Sequence, residues 1–143
     1  MPIRDLMTKT VVSIAPEESV ALAARLLLRH DLGALPVCDE GGHVLGMVTD
    51  RDIVTRCVAA GEDPRRVPVA DVMTRGLTVA SPEDKAEQCA RLMAASQVRR
   101  LPVVEEGKLV GMLSLGDLAR SHRCAMECAA ALEDITNGVR KRF

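Results

Sequence analysis

Apolar and polar positions alternate along this chain in a pattern that occurs twice. A short apolar stretch, "VVSI" at 11–14, precedes a segment with helical spacing from about Ser19 to His30, where Val20, Ala23, Ala24 and Leu27 share one face. Two strand-like runs follow, "ALPVC" and "VLGMV", joined across Gly41–Gly42. A second helix is predicted from about Asp50 to Ala60, stopping at Gly61. The pattern then begins again. "LTVA" at 77–80 leads to a helix from about Lys85 to Ser96, with Ala86, Cys89, Ala90 and Met93 on one face. "LPVVE" and "LVGML" pair across Gly107, and another helix opens near Gly116. Glu17–Glu18 and Glu83–Asp84 precede the first helix of each copy, where negative charge suits the positive helix end.

Residue identities repeat with the pattern. "IRDLMT" at 3–8 matches "VADVMT" at 69–74, and "ALPVCDE" at 34–40 matches "RLPVVEE" at 100–106. Pro16 to Pro82 and Pro36 to Pro102 are both 66 residues apart, while Asp52 to Asp117 is 65, because the second Gly turn is one residue shorter. The reading is an α+β fold of two β-α-β-β-α units, each too small to be stable without a shared core. The first repeat with its linker covers 1–66, the second 67–123, and a C-terminal helical extension and tail 124–143. "GEDPRRVP" at 61–68 is the linker. The last helix is expected to run to about Thr136 and stop at Asn137–Gly138. Its Leu118, Ser121, Ala125, Cys128, Leu132 and Ile135 form either a coiled-coil-like seam or a face packed on the same domain. "VRKRF" at the end is expected to fray.

Composition narrows the function. With 143 residues and a formal net charge of −1, no strong field favours nucleic acid or an anionic membrane. No apolar run approaches the roughly 20 residues of a membrane span. No apolar stretch follows the start in the manner of a signal peptide, so a cytoplasmic protein is expected. Trp and Tyr are absent and Phe143 is the one aromatic residue, which excludes a base-stacking platform. The five cysteines, an odd number without a CxxC pair, argue against a disulfide framework. No nucleophile elbow, phosphate loop or H-E-x-x-H stretch occurs, and no enzyme is expected.

One feature carries possible chemistry twice. "GMVTDRDI" at 46–53 and "GMLSLGDL" at 111–118 each place a hydroxyl three residues before a carboxylate at a helix start. The spacing fits a capping box, with Thr49 and Ser114 as caps and Asp52 and Asp117 reaching back. Caps are common, but the spacing also fits a nucleotide grip. An aspartate in the first turn accepts ribose hydroxyls, and a hydroxyl residue donates to a phosphate or ribose oxygen beside the positive helix end. The preceding Gly46 and Gly111 allow a ligand or another backbone to come close.

The "LPV" strand and "G-x-x-[ST]-x-x-D" step, present in both halves as "DLGALPV" with "VTDRDIV" and "VRRLPV" with "LSLGDL", resemble a tandem pair of CBS domains, the Bateman module, of the small stand-alone bacterial type. The resemblance covers residues 3 to about 122. It implies two repeats about a pseudo-twofold axis, clefts between them that bind AMP, ADP or ATP and sometimes S-adenosylmethionine, and a homodimer. By the same resemblance Thr49 and Asp52 belong to one cleft and Ser114 and Asp117 to the other. Gly33–Ala34 and Arg99–Arg100 would line the clefts, and Val12–Ile14 with Thr78, Val79 and Ala80 would frame the adenine. Arginine suits phosphate, so the cleft of Ser114 and Asp117 is expected to be the better anion site. Strand alternation would send Arg99 and Arg100 to opposite faces, so at most one should face a given cleft. Output would pass through a regulated protein partner or through dimerisation.

A rival reading is a metal or thiol sensor. His122, Cys124 and Cys128 lie close in sequence, and the two cysteines are one helical turn apart. Cys38 follows an "LPV" strand, where a redox role or simple burial would fit. His30 and His43 have no evident partner in the sequence.

Overall fold

A computed structural model describes residues 1–120 and 125–142 of the chain. Helix α1 spans Val20–His30, strand β1 Ala34–Cys38 and strand β2 Val44–Thr49. Helix α2 starts at Asp50–Ile53 and continues as a wider, π-helical turn over Val54–Val58. The second half repeats this as α3 Ala86–Ser96, β3 Arg100–Glu105, β4 Lys108–Ser114 and α4 Leu115–Ala119. A last helix, α5, spans Ala125–Arg142. The mixed helix and strand fold expected from the pattern is therefore present.

Each half has a two-stranded sheet, β1 with β2 and β3 with β4. The expected leading strands shrink to single bridges. Ile14 pairs in parallel with Val37, and Ala80 with Val103. Pro16 and Pro82 follow two residues later and have no N–H to donate, so the pairing cannot extend.

The chain forms two compact units, and they do not follow the repeat boundaries. One unit is Val12–Leu77 with Gly107–Leu109. Its core gathers Val20, Leu27, Leu35, Val37, Val48 and Ile53, together with Val69, Val72 and Met73 from the start of the second repeat. The other unit is Met1–Val11, Thr78–Glu106 and the chain from Val110 on. Its core joins Ala90, Met93, Leu101, Val103, Leu113 and Leu118 with Ile3 from the chain start. The leading segment of each repeat is thus built into the other repeat's unit.

The two strand glycines explain how. Thr74 pairs with Met47 by two backbone bonds of 2.8 and 3.0 Å, and Thr8 with Met112 by two of 2.9 Å. A Cβ on Gly46 would stand 2.6 Å from the Thr74 carbonyl oxygen. A Cβ on Gly111 would stand 2.9 Å from that of Thr8 and 2.6 Å from the Met7 sulfur. These glycines admit a neighbouring backbone. Gly46→Ala or Gly111→Ala is expected to lower stability by about 1–3 kcal/mol, because a backbone neighbour cannot swing aside. Gly116 is the contrast, since its Cβ would find no atom nearer than 3.6 Å. Gly116→Ala should be neutral or stabilising by up to about 1 kcal/mol. Urea melts followed by circular dichroism would measure all three.

Two expectations for the C-terminal region need correction. Helix α4 ends at Ala119, with Arg120 in a turn. Helix α5 runs past Asn137–Gly138 to Arg142 instead of stopping there. The expected seam also shifts. Ala131 and Ile135 are buried, whereas Leu132 is 49% exposed. Ala131 joins the core that holds Ala90 and Met93, so α5 packs on its own domain, against α3 and α4. At Gly138 a Cβ would meet the end of the flexible Gln97 side chain, which can swing aside. Ser121 lies outside the described residues.

Candidate functional site

Both hydroxyl–carboxylate steps form complete capping boxes. The Thr49 amide donates to Asp52 Oδ2 at 3.0 Å, and the Asp52 amide donates to Thr49 Oγ1 at 3.0 Å. The Ser114 and Asp117 pair does the same at 2.9 and 3.0 Å. Asp52 and Asp117 are the two buried charged residues among those described, at 8% and 6% exposure. Burial follows from the cap, which holds each carboxylate against its own helix start. The box takes one acceptor position of a group that has about four. Capping therefore does not exhaust either carboxylate.

The outer oxygens differ between halves. Asp52 Oδ1 accepts from Thr74 Oγ1 at 3.4 Å and faces Arg56 Nε at 3.8 Å. Arg56 is anchored in turn, donating to the carbonyls of Val72 and Met73 at 3.2 and 3.1 Å. Asp117 Oδ1 is paired with Arg120, whose side chain is 69% exposed. Among the described residues Asp117 is the partner of Arg120. One carboxylate is locked into a backbone clasp, and the other is held by a surface arginine. The sequence reading missed Arg56 and Arg120. Their positions, four residues after Asp52 and three after Asp117, carry the ordinary helical salt-bridge spacing and could have shown them.

The residue two positions before each "LPV" is tied to the same helix start. The Asp50 amide donates to the Gly33 carbonyl at 3.1 Å, and the Leu115 amide to the Arg99 carbonyl at 2.8 Å. Ala34 is buried in β1, and Val12 packs partly against the first core. Thr78 bonds Ser96 through their hydroxyls at 3.1 Å, while Val79 is 42% exposed.

Arg99 and Arg100 line one cleft of about 540 Å³ in the second unit. This corrects the expectation that they face apart. Arg99 precedes β3, so strand alternation does not govern it. Leu115, Gly116 and Ala119 of α4 and Ala129 and Leu132 of α5 complete the lining, and Ser114, Asp117, Thr78 and Val79 do not line it.

Three cysteines are buried free thiols, Cys38, Cys57 and Cys89. Burial raises the Cys38 thiol, and burial with the nearby Asp84 charge pushes Cys89 up to about 11. Such thiols react slowly, because the thiolate is the nucleophile. All three should resist alkylation at pH 8 in the native protein and react on unfolding, as mass spectrometry would count. The Cys89 shift also sets a pH dependence. Its folded value lies above the ordinary 9.0, so the folded state holds the proton longer. Stability should be unaffected below pH 9 and fall from there towards about 11, and Cys89→Ala should flatten that slope. His43, without a partner in the sequence reading, pairs with Asp39 at 3.1 Å. His122 and Cys124 lie outside the described residues, as does the Cys128 side chain. Among the described residues no helix is long and apolar enough to cross a membrane.

The duplicated β-strand and helix units, each with a capped carboxylate, define a CBS-pair protein. The chain belongs to the CBS domain family, which matches residues 3–59 and 69–123. It is 38% identical over 135 residues to CBS domain-containing protein YhcV of Bacillus subtilis, covering 94% of this chain and 95% of that one. It is 35% identical to hypoxic response protein 1 of Mycobacterium tuberculosis, covering 82% of each chain. The structure of Hypoxic Response Protein I with two coordinated zinc ions matches with a TM-score of 0.78 and 34% identity, over 84% of this chain and 98% of that one. The structure of CBSX2 in complex with AMP matches with a TM-score of 0.75 and 29% identity, over 87% and 98%.

Proposed function

We propose that this protein is a regulatory module, not an enzyme, that binds an adenosine-containing ligand of the AMP, ADP or ATP class. The observation that carries the reading is the duplicated helix start with a buried carboxylate, in a chain that resembles a protein solved with AMP. In this reading Asp117 accepts ribose hydroxyls on its outer oxygen while its inner oxygen keeps the cap, and Ser114 supports the sugar or phosphate. Asp52 and Thr49 offer the same groups in the first half. Val12, Ala34, Thr78 and Val79 meet the base through backbone and aliphatic surface, because the chain lacks Trp and Tyr. Arg99 and Arg100 supply cationic donors for the ligand's anionic end. Ligand binding favours one arrangement of the module over another, and a homodimer contact or a regulated protein passes on the change. S-adenosylmethionine is the weaker candidate, since it lacks a phosphate. Titration calorimetry with AMP, ATP and S-adenosylmethionine tests the reading.

The asymmetry of the outer oxygens favours the second half. Displacing Arg120 frees Asp117 and exposes the released guanidinium to water, at modest cost. Displacing Arg56 and Thr74 breaks bonds that also hold the Val72–Thr74 backbone. Arg120→Ala should therefore tighten adenosine binding by a small factor, about two- to fivefold, which calorimetry would resolve.

A second reading is favoured by the zinc-bearing structure of Hypoxic Response Protein I. Here His122, Cys124 and Cys128 would hold a metal ion, with further ligands from elsewhere or from a second subunit. Metal analysis of the purified chain tests it, since about one zinc per chain, or about half of one if two subunits share the ion, is required and none would remove it.

A further inference from the structure

The two repeats treat the same helical face differently. By the repeat offset, Arg25 occupies the place of Arg91, Leu28 that of Ala94 and Val54 that of Ala119. In the second repeat this face is covered. Arg91 and Ala94 line a crevice with Ala130 and Ala131 of α5, and Ala119 lines another with Ala129 and Leu132. Helix α5 lies beyond the family match ending at residue 123, and no such helix follows α2 in the first repeat. There the uncovered positions hold larger apolar side chains in solvent. Leu28 is 84% exposed, Val54 57% and Val58 61%. Several exposed apolar residues on one face mark an interaction surface, whereas scattered ones do not. Arg25, Arg29 and Arg51 are exposed beside them in sequence, and none is in an ion pair among the described residues. Over 21–30 and 51–60 the one acid is the buried Asp52, so the exposed face is basic.

A surface of opposite character lies on α5. That helix turns Ala131 and Ile135 into the core. Away from them, Ala129, Leu132, Glu133 and Thr136 recur at i, i+3, i+4 and i+7, and all four are exposed. No basic residue occurs from Ala125 to Val139, and Glu133 is in no ion pair among the described residues. We propose that the α1–α2 face of one copy of this chain docks head to tail on this α5 stripe of a second copy. Leu28, Val54 and Val58 meet Leu132 and Ala129, and the arginines of α1 meet Glu133. Complementarity decides the occupant. Two α1–α2 faces packed on each other would bring like charges together, which costs affinity. Helix α5 brings an acid and small residues, as its other side already does within its own unit, where Asp134 shares a crevice with Arg91. A contact between unlike surfaces closes into a dimer if each copy gives both faces, and otherwise continues into longer assemblies. The inference rests on the reading of the chain as a module that signals through association, and is independent of the ligand.

The test is the mass of the full chain by analytical ultracentrifugation across micromolar concentrations. The native chain should associate. Leu28→Glu, Leu132→Glu and Glu133→Arg should each weaken association by about tenfold or more, by burying a charge in the contact or by reversing one. All three positions are exposed, so the variants should fold normally, checked by circular dichroism and thermal melts. Mixing the Leu28→Glu and Leu132→Glu chains gives the sharpest result. One keeps the α5 stripe and the other keeps the α1–α2 face, so the mixture should recover a two-copy complex that neither forms alone. The proposal is overturned if the native chain is a monomer throughout, which would leave the α1–α2 face to a different protein. It is also overturned if Leu132→Glu and Glu133→Arg associate as the native chain does, which would assign the contact to two α1–α2 faces, or if the mixture stays monomeric. If calorimetry finds no nucleotide binding while the variant pattern holds, the nucleotide reading falls and the interface stands. A monomer that binds nucleotide overturns the interface alone.

Discussion

Asp117→Ala is expected to weaken AMP binding by about 10- to 100-fold, while Asp52→Ala weakens it several-fold less. The larger loss is the worth of one or two hydrogen bonds from ribose hydroxyls to an ionised carboxylate. The difference rests on what each carboxylate gives up to receive a ligand. Asp117 gives up an ion pair with a mostly exposed arginine. Asp52 would give up Thr74 and Arg56, and Arg56 also ties down two backbone carbonyls. Calorimetric titration of both variants, at a temperature where each is fully folded, makes the comparison. Equal losses would remove the proposed preference for the second half.

Stability should show the opposite order. Asp52→Ala is expected to cost about 2–4 kcal/mol, and Asp117→Ala about 1–2 kcal/mol. Both variants lose the bond that satisfies the cap residue's own amide. Asp52→Ala additionally leaves Thr74 without its acceptor and Arg56 without its counter-charge, in a segment whose Val72 and Met73 belong to the first core. In the Asp117 variant the orphaned group is an exposed guanidinium that water can solvate. A cost near 3 kcal/mol lowers Tm by on the order of 10 °C for a chain of this size. Circular dichroism must follow the melts, because without Trp or Tyr the chain lacks a useful intrinsic fluorophore. A Tm for Asp52→Ala at or above that of Asp117→Ala would show that the Arg56 clasp contributes nothing.

The repeat made most of the fold legible. The 66-residue offset placed both helix and strand sets, and the aliphatic "LPV" strands came out buried as their composition implied. What sequence pattern could not show was the exchange of leading segments. "IRDLMT" and "VADVMT" look like the beginnings of their own repeats, and only the backbone pairing of Thr8 with Met112 and Thr74 with Met47 assigns each to its unit. The strand glycines held that information in ambiguous form, since room for a ligand and room for a backbone require the same missing Cβ. Spacing also fixed the capping boxes but not the fate of the second carboxylate oxygen. That depends on Arg56 and Arg120, one turn further along each helix. The expected face of the last helix held at Leu118 and Ile135 but missed at Leu132, for a different reason. A 3,4 spacing of small residues leaves several faces nearly equal in polarity, and packing on α3 chose Ala131 and Ile135 over Leu132.

The central claim is that the duplicated hydroxyl–carboxylate step serves ligand binding as well as helix capping. Titration calorimetry of the full chain against AMP, ATP and S-adenosylmethionine tests it most directly. The expected result is saturable binding of at least one adenine nucleotide, at one stronger site per chain that Asp117→Ala weakens. Absence of heat for all three ligands at several temperatures, with no shift in Tm at millimolar nucleotide, would contradict it and leave both steps as helix caps alone.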